Sequence, residues 1–257
     1  MIPHEYKRNK YARSAKAEIR RVLNGYLADY MHRISTAQNY GDLITAAQAE
    51  PDHDPMIAAL AKIYRRVGAD FAKMTIKDVN AKKSAPDPIE IDFWEEFFVQ
   101  FARTKLGQKI TWITNTTKEV YIATVQRVVE QAGREGLSIW NTAKQIQKEI
   151  GYSNQYRAER IARTEIIKAS NLGTLEGGKN AGIPTRKEWL PIVDSNSRED
   201  HAAMAGTPPI ENDQPFNVGG VEMMYPGDEA GGAEHVINCR CALNIVPALT
   251  YEDIINS

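Results

Sequence analysis

Apolar residues recur every three or four positions from Ala15 onward. Ile19, Val22/Leu23, Tyr26/Leu27, Tyr30/Met31 and Ile34 form one stripe flanked by Arg and Lys, the pattern of an amphipathic helix. Asp54-Pro55 pairs a capping residue with proline at the first helical position and opens a second helix burying Met56, Leu60, Ile63/Tyr64, Val67, Phe71 and Met74. Lys77 to Pro88 has three lysines, two prolines and no strong period, so it reads as a loop. A third helix starts at Asp92, with Glu95 in the capping-box position and Trp94, Phe97, Phe98 and Phe101 as a core cluster. A fourth runs from about Thr116 to Arg134. A short one follows through Ile139, Ala143, Ile146 and Ile150, ended by Gly151, and a regular one spans Ser153 to Lys179.

After Gly182 the character changes. Prolines and glycines become too frequent for long helices, and two short strands are predicted, Lys187 to Val193 and Cys239 to Val246. In the second, Cys239, Cys241, Leu243 and Ile245 share one face at the period of two. The expected class is α+β: a mainly helical N-terminal two-thirds, then a small mixed segment with short strands. The expected division is a helical region 1–137, a second domain 138–247 and a tail 248–257.

The 257 residues are 42% hydrophobic and 25% charged, which excludes collagen-like and wholly disordered classes. No apolar run reaches the ~20 residues of a membrane span. The polar, basic start lacks the apolar core of a secretory signal. Two cysteines make no disulfide framework and fit a reducing compartment. The net charge of −1 hides an asymmetry: residues 1–200 carry 31 basic and 25 acidic residues, residues 201–257 one and eight. Residues 1–14 are expected to order only against a partner, and Lys7, Arg8, Lys10 and Arg13 are candidate contacts to nucleic acid phosphates.

No Walker loop, dinucleotide-binding glycine motif, His-Glu-x-x-His or Gly-x-Ser-x-Gly is present. The densest polar cluster is C-terminal: Asp194, Arg198, Asp200, His201, Asp213, Glu234, His235, Asn238, Cys239, Arg240 and Cys241. Three readings attach to it. His201, Cys239 and Cys241 are the right residue types for zinc, although Cys-x-Cys is not the usual knuckle spacing. A nucleophilic reading takes either cysteine with His201 as base and Asp194 to orient it. The structural reading has Asp194, Arg198, His201, Asn238, Cys239, Arg240 and Cys241 converge to anchor a Gly/Pro-rich loop, through an Arg–carboxylate fork or a metal. No cofactor beyond zinc and no catalytic residue is expected.

Taken in order, Ala158-Glu-Arg-Ile-Ala-Arg-Thr-Glu-Ile166, Lys187-Glu-Trp-Leu190, Asp194 with Arg198 and His201, Asp213-Gln-Pro-Phe216, Tyr225-Pro-Gly227 and Asn238-Cys-Arg-Cys241 resemble the phage head-morphogenesis family of Mu protein F-like minor head proteins, over roughly Ile139 to Pro247. Carried over residue by residue, the signature positions are Arg163, Thr164, Glu165, Trp189, Asp194, Arg198, His201, Asn238, Cys239, Arg240 and Cys241. Asn196 stands where relatives carry a second basic residue, which argues against a two-arginine anion site. The resemblance implies a minor virion protein at the portal vertex, inside the particle, present in host cytoplasm during assembly, and carries no established activity that would make it an enzyme. It implies roles in head assembly, DNA packaging or DNA delivery. The implied partners are the portal protein, for which Lys7, Arg8, Lys10 and Arg13 are equally candidate contacts, then major capsid or scaffolding protein, and packaged double-stranded DNA. The alternatives are a DNA-binding module using the basic helices, or a toxin-like or metal-dependent enzyme built on Asp194, His201 and Cys239.

Overall fold

The computed structural model describes residues 3–81, 91–105 and 107–248. Six helices come first: α1 (Glu5–Arg33), α2 (Tyr40–Ala47), α3 (Asp54–Asn80), α4 (Ile91–Lys105), α5 (Gly107–Glu135) and α6 (Ile139–Lys179). Short elements follow: β1 (Thr185–Leu190), α7 (Glu199–Ala202), β2 (Ile210–Glu211), β3 (Phe216–Val218), β4 (Val221–Met223), α8 (Gly232–Val236) and β5 (Ala242–Pro247). The fold is α+β. No described helix is long and apolar enough to cross a membrane.

Two compact units share the long helices, so neither is continuous in sequence. One comprises Lys16–Leu60 and Phe101–Ile161, the other Met1–Ala15, Ala61–Gln100 and Ala162–Ser257. These units cut across segment boundaries drawn from composition, because α1, α3 and α6 each contribute to both.

The first unit is helical. Its stripe from α1 is buried as the period requires, with Ile19, Leu23 and Tyr30 inside. Tyr121 of α5 and Asn154 of α6 both donate to the Leu23 carbonyl, at 3.1 and 3.0 Å. Helix α2, which has no counterpart among the periodic segments, opens on a complete capping box between Asn39 and Asp42. Helix α5 begins at Gly107, earlier than its clear periodicity at Thr116.

Gly151 does not end a helix. It sits within the continuous 41-residue α6, with Leu27 of α1 packed 3.8 Å from where a Cβ would lie. A mid-helix glycine costs about 1 kcal/mol against alanine, which tertiary packing readily offsets. The Lys77 to Pro88 loop is also corrected at its start, since α3 continues to Asn80. The rest of that loop, the Asp92 side chain and the tail beyond residue 248 lie outside what is described, while α4 itself begins at Ile91, one residue from the expected start.

The second unit places the C-terminal half of α6 between α3 and a sheet. A Cβ on Gly173 would lie 2.3 Å from the Gly68 carbonyl oxygen, and one on Gly178 would lie 2.7 Å from Ile245 of β5. Only glycine permits such approaches. The sheet has order β2-β1-β5, all antiparallel, with Lys187 opposite Ile245 and Trp189 opposite Leu243. Both strands therefore lie a few residues from their predicted bounds. Strands β3 and β4 form a hairpin across Gly219-Gly220, whose φ values of 60° and 90° suit a two-residue turn.

The N-terminal segment corrects the expectation of a mobile arm. Helix α1 begins at Glu5, ten residues before the apolar stripe becomes regular. Arg8 is buried, donating to Ser170 Oγ and Asn171 Oδ1, each at 2.9 Å, and lies over the Phe71 ring. Lys7 donates to Asp70 at 3.2 Å. Residues 7 and 8 are thus committed to the fold, while Lys10 and Arg13 stay exposed.

Asn171 uses its full bonding capacity in this unit. Its Oδ1 accepts from Arg8 Nη2 and from the Leu243 N–H, each at 2.9 Å, and its Nδ2 donates to the carbonyls of Pro226 (2.8 Å) and Cys241 (3.1 Å). Replacing Asn171 with alanine strands these buried groups together. We expect a loss of about 3–5 kcal/mol of unfolding free energy in denaturant titration.

Lys187 is buried on β1, with Nζ donating to the Met224 carbonyl at 2.9 Å and lying over Phe216. Burial, with Lys179 adding repulsion, lowers its pKa to about 8. Between that value and the ordinary lysine pKa the unfolded chain binds more protons, so this residue's contribution to stability rises with pH. Wild type should therefore gain stability relative to Lys187→Met as pH rises from 8 to 10. A constant difference between their melting temperatures across that range would contradict this.

Candidate functional site

Three short segments bring the C-terminal cluster together beside β1. The turn after β1 carries Asp194, whose Oδ1 accepts from the Asn196 N–H at 2.9 Å and from Ser197 Oγ at 3.1 Å. Arg198 precedes α7 and donates to the Ile237 carbonyl at 2.7 Å. Helix α7 then points His201 inward, where it is buried with Trp189 edge-on at 5.6 Å between ring centroids.

The third segment, Asn238 to Cys241, arrives after α8. Asn238 has φ 57°, and its N–H donates to Thr164 Oγ1 at 3.3 Å. This turn directs both cysteines inward and Arg240 outward. Cys239 and Cys241 precede β5 instead of lying in it, because the left-handed residue at 238 bends the chain before pairing with β1 begins.

The cluster has two parts. On the rim, Arg240 forks onto Asp194, Nη1 to Oδ2 at 2.6 Å and Nη2 to Oδ1 at 2.5 Å. These bonds and the Asn196 N–H hold the Asp194 carboxyl well below the usual carboxylate range. Inside, His201 Nδ1 lies 3.4 Å from Cys241 Sγ and 3.7 Å from Cys239 Sγ. Its Nε2 faces His235 Nδ1 at 3.3 Å, and His235 Nδ1 lies 3.1 Å from Asp200 Oδ2. The Cys239 thiol bonded to Cys241 lowers the latter's pKa to about 5, while the same bond and burial push Cys239 up.

This arrangement corrects the triad considered from sequence. Asp194 is turned to Arg240, and the carboxylate on the His201 side is Asp200, reached through His235. Asp200 and His235 were visible in the sequence only as members of an acidic, His-containing stretch. Their roles require the loop from 202 to 238 to fold back.

Among the other signature positions, Thr164 and Glu165 are buried on α6, Glu165 accepting from Tyr64 Oη at 3.0 Å, whereas Arg163 is exposed. Gly227 of Tyr225-Pro-Gly227 has φ 92° and passes close to α6, where a Cβ would lie 3.3 Å from Lys168 Cα. Lys168, itself buried, pairs with Glu229. Asn171 was not singled out from sequence. Its signal, an amide between apolar helix positions, does not name its partners.

Asn238 yields a backbone test. Glycine fits φ 57° freely, whereas a β-branched residue is strained there. Asn238→Gly should remain within about 0.5 kcal/mol of wild type, and Asn238→Val should lose about 1–2 kcal/mol or more in equilibrium unfolding.

Residues 123–244 match the family described as Phage Mu protein F like protein. A curated relative, the NAD(+)–arginine ADP-ribosyltransferase EFV of Enterococcus faecalis, is 31% identical over 122 residues, covering 46% of this chain and 24% of that protein. The chain thus matches about a quarter of that relative's length. No solved structure gives a significant match. The matched segment runs from within α5 to β5 and contains the Asp194–Arg240 fork and the His201 cluster. Residues 123–244, just under half of the chain, are thus similar to the Phage Mu protein F-like family, a likeness that points to a phage head-related protein.

Proposed function

We propose that the protein is a minor head protein that sits inside the virion at the portal vertex and acts in head assembly, DNA packaging or DNA delivery. The observation that carries this reading is the family match over residues 123–244. The fold supports an architectural role. Arg8, Lys168 and Asn171 all spend their polar groups on holding segments of the chain together. The partners proposed are the portal protein first, with capsid or scaffolding protein and packaged DNA as further contacts. Exposed Lys10 and Arg13 remain candidates for the latter; Lys7 and Arg8 do not.

The test is composition of particles. Purified virions should contain this chain at a copy number far below that of the major capsid protein, and it should copurify with portal protein from disassembled heads. Absence from purified particles would overturn the proposal.

A second reading, a toxin-like enzyme, draws on the printed name of the Enterococcus relative. Because the match covers 24% of that protein, the activity is not carried over to this chain in our reading. Incubation with labelled NAD+ and an arginine-bearing acceptor should leave the acceptor unlabelled. Labelling that disappears with His201→Ala while folding is retained would favour the enzyme.

A further inference from the structure

We propose that His201, Cys239 and Cys241 form a mononuclear site for a soft divalent metal, zinc first, that locks the C-terminal loop of the second unit. The proposal stands independently of the role in the head.

Geometry comes first. In tetrahedral zinc sites the Zn–S bond is about 2.3 Å and Zn–N about 2.0–2.1 Å, which places a nitrogen and a sulfur ligand about 3.5–3.6 Å apart. His201 Nδ1 lies 3.4 and 3.7 Å from the two sulfurs, and all three donor atoms fall within 4.8 Å of one another. Both nitrogen–sulfur edges of the triangle are therefore close to those of a zinc tetrahedron before any metal enters, and the sulfur–sulfur edge is no longer than 4.8 Å.

Charge comes second. All three residues are buried. Two thiolates and a neutral imidazole around a divalent ion sum to zero, the form in which a buried ionic group is least penalised. Sulfur donors select zinc over magnesium or calcium. A second set, Asp200, His201 and His235, shares the histidine but is harder, and its carboxylate residue is only partly buried. It serves better as the outer layer. His201 Nε2 faces His235 Nδ1 at 3.3 Å with Asp200 alongside, the surroundings that fix the tautomer and orientation of a metal-bound histidine.

Topology comes third. His201 lies before the segment 202–238 and the cysteines directly after it. This segment has several left-handed glycines and contributes only β2, the β3–β4 hairpin, a single 3-10 turn and α8. A metal linking its ends removes loop-closure entropy from the folded state's competitors. Three protein donors leave one tetrahedral position for water.

The experiment uses the full chain, saturated with zinc, desalted, and measured for metal content. One zinc per chain is expected. Both thiols should react slowly with a thiol reagent until a strong chelator is added. Cobalt substitution should give sulfur-to-cobalt charge-transfer absorption that is lost in Cys239→Ser, Cys241→Ser and His201→Asn. Asp200→Asn should keep the stoichiometry and weaken affinity about 10- to 100-fold. A folded wild type that retains no zinc, or whose thiols react equally with and without chelator, overturns the site. So does zinc retained by a double cysteine-to-serine variant. The wild-type metal content and thiol kinetics do not depend on any variant folding.

Discussion

The second unit depends on one buried carboxamide. Asn171 sits on α6 where no water can reach it, and its four bonding positions meet α1, the Tyr225-Pro-Gly227 turn, the Cys241 carbonyl and the first turns of β5. A leucine there would fill similar space but could not specify which segments meet. Apolar packing is tolerant of register, whereas two donors and two acceptors at fixed angles are not. The glycines at 173 and 178 complement this constraint. They let α3 and β5 approach the same helix from different sides, and Asn171 then fixes where along it β5 stops.

Around that point the signature residues divide into those that hold the fold and those available for chemistry. Thr164 receives the Asn238 N–H, Gly227 makes room for α6, and Arg198 closes the α8 turn. These roles explain why such short motifs are scattered between residues 158 and 241: each is one end of a contact. The Asp194–Arg240 fork is half-exposed, where most ion pairs contribute little to stability, although its bidentate geometry is the favourable case. Its use is better understood as keeping Arg240 facing out while its two flanking cysteines face in. The buried sulfurs and histidine, by contrast, have no solvent to satisfy them and must satisfy one another or a ligand.

Periodicity carried much of the fold. The stripe from Ile19 to Ile34, the start at Asp54 and the shift to short strands after Gly182 were all legible, because each reflects a local rule. Errors arose where local and distant forces disagreed. Gly151 reads as a stop, yet packing against Leu27 carries α6 through it. Residues 5–14 read as a solvated arm because their stabilising partners, Asp70, Ser170 and Asn171, lie 63 to 163 residues away in sequence. In the site, residue type pointed to His201 and the cysteines. The pairing of Asp194 with Arg240 and of Asp200 with His235 was not legible, since both depend on how the loop between them returns.

The bond between Arg8 and Asn171 has a consequence for biosynthesis. Arg8 is made near the start of translation, but Asn171 follows 163 residues later and Leu243, which shares the same oxygen, later still. At bacterial elongation rates of ~5–20 residues per second, the segment carrying Arg8 waits roughly 10–30 s for the first of these partners to be synthesised. During that interval its charged side chain lacks the amide that finally binds it. The helical unit can mature while the nascent chain is still growing, but the α+β unit closes from both ends of the polypeptide at once, so a ribosome that stalls before β5 leaves a chain whose beginning, as well as its end, is unfinished.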